Sequence, residues 1–135
     1  MPDELSYKEI PKIFLRHRNI KSNMGIEEIL ELIYPEERNP VKKRVASLIL
    51  NKLRSNIRQG LSKTEMSKFQ KENQGVISKA TFYRVLKDLK RLGFVRYEDY
   101  AYTYYLSTDF SSALERLARS YRKWIEVGLG RKSDS

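Results

Sequence analysis

Between residues 39 and 107 the hydrophobic pattern changes its period once, and that change limits the fold more than any other feature. Three segments carry apolar residues every three or four positions, which is the spacing of one buried face of an α-helix. Two short segments rich in aromatic and β-branched residues follow, as is typical of paired strands. The sequence therefore predicts a mainly α protein with a small β-hairpin after its third helix.

Capping residues mark where the first two helices begin. The Asn-Pro pair at 39–40 joins a favourable N-cap to a proline at the first helical position, which predicts a helix over 40–58. Ser62 and Glu65, three positions apart, form a capping box. The box predicts a second helix that ends near Glu72.

The third helical segment, residues 78–92, is strongly two-sided. Its apolar positions share one face, and its cations largely fall on the opposite face. Gly93 suits the left-handed conformation that commonly ends a helix. The hairpin strands are then predicted over 94–98 and 102–106, with residues 99–101 as their connection.

Outside this central unit of residues 39–107, the chain divides into three predicted parts. Residues 1–38 are an N-terminal extension of short helices or an arm, and residues 131–135 are a polar tail. Residues 108–130 form a long C-terminal helix whose apolar side chains recur at intervals of four and three. These side chains are Phe110, Leu114, Leu117, Tyr121 and Trp124. In the extension, Ile10, Ile13 and Phe14 are predicted to share one face of a short helix, and a second helix is expected over 26–33.

The net charge of +10 is concentrated in one segment. Residues 40–92 hold 14 basic and 3 acidic side chains, whereas the segments before and after are close to neutral. A basic excess confined to one fold unit indicates a polyanionic partner such as nucleic acid. The alternative is a solvated surface of the kind found in thermophiles, and the absence of cysteine with only three Gln favours such an origin, including an archaeal one.

A spaced set of residues in the third helix and just after it follows a recurring pattern. The set is Ser78, Thr81, Arg84, Leu86, Leu89, Gly93, Phe94 and Val95. With this pattern, residues 61–106 resemble the winged helix-turn-helix of bacterial and archaeal transcription regulators. The resemblance implies that the helix over 78–92 enters the major groove of duplex DNA, and that neighbouring helix starts bind phosphates.

A helix in the major groove reaches base edges with its N-terminal half. Base contacts are therefore predicted for the polar side chains in that half, namely Lys79, Thr81, Tyr83 and Arg84. Phosphate contacts are predicted for Lys42, Lys43, Arg44, Ser62, Lys63, Ser78, Lys87, Lys90, Arg91 and Arg96. Three of these predictions have an alternative: Arg84 pairs with Asp88 one turn away, Tyr83 packs in the core, and residues 42–44 form a solvated face.

The predicted hairpin departs from the family pattern. Its tip carries Glu98 and Asp99, which phosphates repel, and Arg96 is the one basic residue between 94 and 107. Five of the nine tyrosines fall in this hairpin. Packing across the strands is the favoured interpretation, with stacking on single-stranded bases or contact with a protein partner as alternatives.

The C-terminal helix has two interpretations. It folds back as a fourth core helix, or its apolar seam pairs with a second copy of the chain. The homodimer is favoured, because an apolar seam on a polar helix is costly to leave in water and a two-fold pair places the two recognition helices about 34–36 Å apart. Residues 1–38 are expected to join that interface.

Enzymatic and metal-binding functions find no support in the residue inventory. The chain has no cysteine and a single histidine, His17, which stands between two arginines. No Gly-rich phosphate loop and no nucleophile with a plausible base are present. No catalytic residue, metal, cofactor or small-molecule ligand is therefore predicted. No apolar run reaches the 18 or so residues of a membrane span, so a cytoplasmic, nucleoid-associated protein is expected.

Three functions remain open from the sequence. The first is a sequence-specific transcription regulator that binds double-stranded DNA as a homodimer. The second is a DNA-organising, replication or plasmid-partition protein on the same fold. The third is a winged-helix protein-interaction module, which the acidic, tyrosine-rich hairpin favours and the basic third helix disfavours.

Overall fold

The structure is a computed structural model, and it describes residues 11–131. These residues form five α-helices and a small antiparallel sheet, with a short 3-10 turn at His17–Asn19. The helices are α1 (Ile26–Glu31), α2 (Pro40–Ser55), α3 (Lys63–Glu72), α4 (Lys79–Leu92) and α5 (Asp109–Gly128). The strands are β1 (Leu61–Ser62), β2 (Val95–Glu98) and β3 (Thr103–Leu106). None of the described helices combines the length and apolar character needed to cross a membrane.

The predicted capping of α3 is confirmed by hydrogen bonds at its first turn. The hydroxyl of Ser62 accepts from the backbone N–H of Glu65 at 3.0 Å, and the Glu65 carboxylate accepts from the N–H of Ser62 at 2.8 Å. These bonds satisfy donors that a helix start leaves unpaired. The bond from the Ser62 N–H also holds the pKa of the Glu65 carboxyl below its usual range.

The limits of α4 and α2 follow from the same kind of local signal. Ser78 caps α4 by accepting from the N–H of Thr81 at 3.1 Å, and Gly93 ends it with a φ of 91°. The helix α2 begins at Pro40 as predicted, although the side chain of Asn39 makes no capping hydrogen bond, and it ends at Ser55 rather than at residue 58. The chain then turns into β1 through Gly60, whose φ is 70°.

The sheet contains one strand more than the predicted hairpin. Its order is β1-β3-β2, and β1 pairs antiparallel with β3 through Leu61 opposite Tyr104. The strand β1 was not predicted, because two residues are too few to show an alternating hydrophobic pattern in the sequence. Gly60 makes this pairing feasible, because a Cβ there would lie 2.4 Å from the backbone oxygen of Tyr104.

The hydrophobic core lies between α2, α4 and the sheet, and the N-terminal extension completes it. Leu30, Ile33 and Tyr34 are at most 3% exposed and belong to the same buried cluster as the central helices. The predicted boundary between residues 38 and 39 therefore does not separate two hydrophobic units. The helix expected over 26–33 forms in shortened version, as α1.

The helix predicted around Ile13 and Phe14 is wrong for the described residues, and Ile10 lies outside them. Residues 11–16 have no regular secondary structure. The backbone N–H of Phe14 donates to the carbonyl of Leu32 at 2.7 Å, and the Arg38 guanidinium lies 5.4 Å from its ring centre. This segment is thus held against the end of α1 by contacts with distant residues, which replace the local bonds of a helix.

The helix α5 leaves the core immediately after its first turn. The N–H of Phe110 donates to the carbonyl of Gly93 at 3.0 Å, and its ring stacks on Phe94 with centroids 4.2 Å apart. No residue of α5 is buried. The interpretation of this helix as a fourth core helix is therefore wrong.

Candidate nucleic-acid interface

The outer side of α4 is a continuous basic surface. Its apolar positions, Phe82, Val85, Leu86 and Leu89, are buried in the core. The exposed positions on the opposite side include Lys79, Arg84, Lys87 and Lys90, which we call the basic face of α4. Because these residues span the whole helix, the cations follow its length rather than clustering at one end.

The single acidic residue of α4 does not interrupt this face. Asp88 is only 5% exposed, and its carboxylate accepts the hydroxyl hydrogen of Tyr34 at 2.6 Å. Burial raises the pKa of Tyr34 strongly, and the hydrogen bond to Asp88 raises it further. Tyr34 is a site residue that sequence reasoning missed, because it stands 54 positions from its partner and no local pattern links them.

The alternative role of Arg84 as the ion-pair partner of Asp88 is wrong. Within the described part of the chain Arg84 forms no ion pair, and the polar contact of Asp88 is with Tyr34. Arg84 lies close enough for its charge to lower the pKa of Tyr34 slightly against the larger effects of burial. The guanidinium of Arg84 is therefore exposed and available for an external acceptor.

At the start of α4 the hydroxyl groups serve the helix itself. Ser78 donates its hydroxyl hydrogen to the Thr81 hydroxyl at 3.0 Å while accepting from the Thr81 N–H. Tyr83 is half-buried, and its ring meets Phe82 edge-on at 5.2 Å. Of the four predicted base-contacting residues, Lys79 and Arg84 thus project freely, whereas Thr81 and Tyr83 have contacts within the protein.

The predicted phosphate contacts on α4 and β2 differ in how far they are already engaged. Lys87 is exposed, and the Lys90 ammonium lies 5.5 Å from the ring centre of Tyr97. Arg91 is half-buried and has contacts of its own. Arg96 forms an ion pair with Glu98 and lies 5.2 Å from the centre of the Tyr105 ring. Its charge is therefore largely balanced by the acidic group at the hairpin tip.

At the start of α2, the three basic residues are not equivalent. The Lys43 ammonium lies 2.9 Å from the Glu31 carboxylate and 3.6 Å from that of Glu36. The hydrogen bond raises the pKa of Lys43 and lowers that of Glu31. Lys42 is half-buried and Arg44 is exposed, and neither has an ion pair within the described residues. Lys43 is consequently the least available of the three to a phosphate.

At the start of α3, backbone N–H groups already donate hydrogen bonds to acceptors within the protein. The backbone N–H of Lys63 donates to the carbonyl of Tyr102 at 2.8 Å, and the N–H of Ser62 donates to Glu65. Two of the amides that suit a phosphate oxygen are thus occupied. The exposed side chain of Lys63 remains as the basic group at this helix start.

The hairpin tyrosines divide into two groups. Tyr97 and Tyr104 face each other across the strands with ring centroids 4.6 Å apart, and burial raises the pKa of Tyr104. With Tyr105 lying under Arg96, the packing prediction is confirmed for three of the five. It is wrong for Tyr100 and Tyr102 at the tip, which are 85% and 66% exposed.

The tip turn that presents these two exposed rings is locally unusual. Tyr102 adopts a φ of 49°, a region that favours glycine over a bulky side chain. The hydrogen bond from Lys63 to its carbonyl ties the turn to the start of α3. The exposed aromatic pair is therefore held beside α3 rather than on an isolated loop.

Residues 11–131 contain no cluster of three metal-ligating His, Cys, Asp or Glu side chains. His17 is exposed and lies in the 3-10 turn far along the chain from α4.

Comparison with protein-family models, with curated proteins and with solved structures gives no significant match to this chain.

Proposed function

We propose that the protein is a winged helix-turn-helix regulator that binds duplex DNA with the basic face of α4 in the major groove. The order of elements supports this assignment: α2, a short strand, α3 and α4 joined by a tight turn, and then a two-stranded hairpin. An α-helix, about 10–12 Å across with its side chains, fits a groove about 12 Å wide. In this assignment the β2–β3 hairpin is the wing.

The observation that carries the proposal is the composition of the basic face of α4. Four exposed cations follow the helix, and the one carboxylate that would repel phosphates is buried against Tyr34. A surface of this kind attracts a polyanion and gains affinity by releasing condensed counterions from DNA. Lys79 and Arg84, near the start of the helix, are the residues we assign to base edges, since Arg pairs with guanine in a bidentate manner.

The exposed apolar side of α5 supports a homodimer. Leu117, Tyr121 and Trp124 are 67%, 63% and 73% exposed, although they carry large apolar surfaces. Apolar patches of this size commonly mark interaction sites. Two copies related by a two-fold axis would read a palindromic site, as dimeric helix-turn-helix proteins do.

Selection from a randomised duplex library is the experiment that tests the function. We expect an enriched palindrome with half-site centres about 10 base pairs apart. Retention without enrichment would contradict the assignment as a sequence-specific regulator and favour a DNA-organising or partition protein. Absence of retention at low salt would overturn the DNA-binding proposal.

The second candidate, a protein-interaction module, is favoured by Tyr100 and Tyr102 at the wing tip. Two largely exposed aromatic rings on a short hairpin are a common feature of protein interfaces. The dependence of duplex affinity on salt separates this candidate from the first. Replacement of both Lys87 and Lys90 by Ala should reduce the slope of log K against log salt by about 2 if both meet phosphates.

A further inference from the structure

The exposed apolar side of α5 extends beyond the five seam residues. Besides the seam residues, Ile125, Val127 and Leu129 are 38%, 64% and 61% exposed. Tyr121 and Trp124 stack with ring centroids 6.2 Å apart, so they form one continuous aromatic surface. An apolar surface of this breadth requires a partner that covers the C-terminal half of the helix as well as its middle.

Large and small residues are placed on α5 in a way that depends on direction. The seam begins at Phe110, and one further interval of four residues beyond Trp124 brings it to Gly128. The small residues flanking the seam, Ser111 and Ala113, stand at its beginning. The large flanking residues, Ile125 and Val127, stand at its end. Two such helices have complementary volumes when they run in opposite directions.

We infer that α5 pairs antiparallel with α5 of a second copy. The two-fold axis crosses the seam between Leu117 and Tyr121, at the level of residue 119. This inference rests on the proposed homodimer and specifies how its two copies meet. The seam then places Phe110 opposite Gly128 of the second copy, Leu114 opposite its Trp124 and Leu117 opposite its Tyr121. Facing positions that alternate in size fill a core without voids or overlap.

The flanking positions follow the same rule in this register. Ser111 falls level with Val127 of the second copy, and Ala113 falls level with its Ile125. A parallel pair would instead set Phe110 against Phe110 and Trp124 against Trp124 while leaving Gly128 against Gly128. Such a pair combines overpacking at some layers with a gap at another, and both are destabilising.

A groove at the base of α5 provides an independent argument for the same direction. It is lined by Ile26, Ile29, Leu50, Arg54, Phe94 and Leu106. Because Phe110 stacks on Phe94, the seam of α5 begins at the edge of this groove. In the antiparallel pair the C-terminal end of the second α5 reaches this base, where its exposed Leu129 meets apolar side chains.

Charge complements the apolar fit at this groove. Arg54 is exposed at the rim, and a cation stabilises the negative end of a helix dipole. The arriving end of the second α5 is such a C-terminus. A parallel pair would leave both the groove and Leu129 uncovered.

The direction of pairing also determines how far apart the two DNA-binding units lie. With the axis at the level of residue 119, the two helix starts are separated by about twenty residues, or roughly 30 Å at 1.5 Å per residue. A parallel pair would bring them within about 8–10 Å, and two chains each carrying a net charge of +10 would repel one another. The antiparallel separation of the two α5 starts is of the same order as one DNA turn, about 34–36 Å.

The exposed surface is large enough for such an interface. At about 150–250 Å² per aromatic side chain, the exposed parts of Tyr121 and Trp124 amount to roughly 250 Å² per copy. One partner of a stable interface buries about 800 Å². The two aromatics therefore supply about a third, and the aliphatic residues of α5 with the groove supply the remainder.

Distances between paired spin labels test the direction directly. Ser112, Arg119 and Glu126 lie seven residues apart on the side of α5 away from the seam, and the chain has no cysteine of its own. Each is replaced by Cys in a separate full-length variant, labelled, and measured by double electron–electron resonance. Leu117→Glu added to each variant is the control, and it should abolish the distance signal.

We expect the shortest distance at Arg119 and longer, similar distances at the other two positions, with an added axial offset of roughly 20 Å. Equal distances at all three positions, with a dimeric mass by light scattering, would overturn the antiparallel inference and leave the homodimer intact. A monomeric mass for the unlabelled protein would overturn both. Retention of duplex DNA, measured separately, decides the DNA-binding part of the proposed function.

Discussion

The two long amphipathic helices α4 and α5 differ in where their apolar sides face. The helix α4 turns its apolar side to the core and leaves Lys79, Arg84, Lys87 and Lys90 outside. The helix α5 leaves the core after Phe110, so that both its apolar and its charged sides are exposed. A similar sequence pattern therefore has a different outcome depending on whether a neighbouring element is available to cover the apolar side.

This difference leaves two exposed surfaces of distinct chemistry in one small protein. The outside of α4 can gain free energy only from a partner that supplies negative charge, such as a phosphate backbone. The outside of α5 gains free energy by removing apolar area from water. Substitutions on one helix should therefore change one kind of binding and leave the other unchanged.

The largest effect is expected from Leu117→Glu in α5. An unpaired carboxylate in an apolar interface costs several kcal/mol, so the dissociation constant of the dimer should rise at least ~1000-fold, or about 4 kcal/mol. Because Leu117 is 67% exposed in one copy, the stability of the monomer should not change. Sedimentation equilibrium measures the dissociation constant.

Arg119→Glu is the matched control, because it places the same carboxylate on the opposite side of α5. It should leave the dimer intact. An unchanged mass for Leu117→Glu would show that the seam is not the interface. A monomer for both variants would indicate a general loss of α5 rather than a local effect.

The next effect concerns Tyr34, the buried partner of the Asp88 carboxylate. In Tyr34→Phe, the Asp88 carboxylate stays buried and loses its 2.6 Å hydrogen bond. A buried charged acceptor without a partner should lower the free energy of unfolding by about 2–3 kcal/mol. Urea denaturation at pH 7 measures the loss, and adding Asp88→Leu should restore part of it. No recovery in the double variant would contradict a direct coupling.

The same pair predicts a dependence on alkaline pH. Burial and the bond to Asp88 raise the pKa of Tyr34, so the native state keeps this proton above pH 10, where an unfolded tyrosine loses it. The unfolded state then binds fewer protons, and stability should fall as pH rises, by about 1.4 kcal/mol per unit. Tyr34→Phe should reduce this slope, while Tyr104 acts in the same direction in both proteins. Unfolding measured between pH 9 and 11 checks the sign, and an equal slope in both would contradict it.

Local signals in the sequence were sufficient for α3, α4 and the hairpin. Ser62, Ser78 and Gly93 cap or end their helices through contacts within four residues, so they were readable without a structure. The same is true of the cations of α4, whose spacing alone places them on one face. These parts of the fold and of the site depend on the chain's own neighbours.

Long-range contacts could not be predicted in this way. The pairing of β1 with β3 joins residues more than forty positions apart, and Tyr34 meets Asp88 across 54. Lys43 looked like a member of a basic run, and only the fold brings Glu31 and Glu36 to it. Sequence therefore indicated which residues carry charge, while the structure decides which of those charges are already paired.

A smaller effect, on affinity alone, is expected from Arg84→Ala in α4. We expect it to weaken binding to the selected duplex by about 1–3 kcal/mol and to relax preference at one base position. Arg122→Ala on the charged side of α5 is the control, and it should leave both quantities unchanged. Fluorescence anisotropy with matched and single-base variant duplexes measures them. An equal loss on every duplex would identify Arg84 as a phosphate contact, and no loss would remove it from the interface.

The smallest effect is expected where a cation is already paired. Lys43→Ala should leave the salt dependence of DNA binding unchanged, because its ammonium is held by Glu31 and Glu36, whereas Lys87→Ala should reduce the slope by about 0.9. Lys43→Ala should lower the free energy of unfolding by about 0.2–1 kcal/mol, as the loss of an exposed ion pair does. Since the pair lowers the pKa of Glu31, this cost is present above the ordinary pKa of about 4.3 and disappears as pH falls below it. Lys42→Ala is the control for both measurements, because it removes a neighbouring cation that has no ion pair within the described residues. A slope reduced by Lys43→Ala as much as by Lys87→Ala would show that Lys43 leaves its carboxylates for DNA, and the contrast between paired and free cations would then fail.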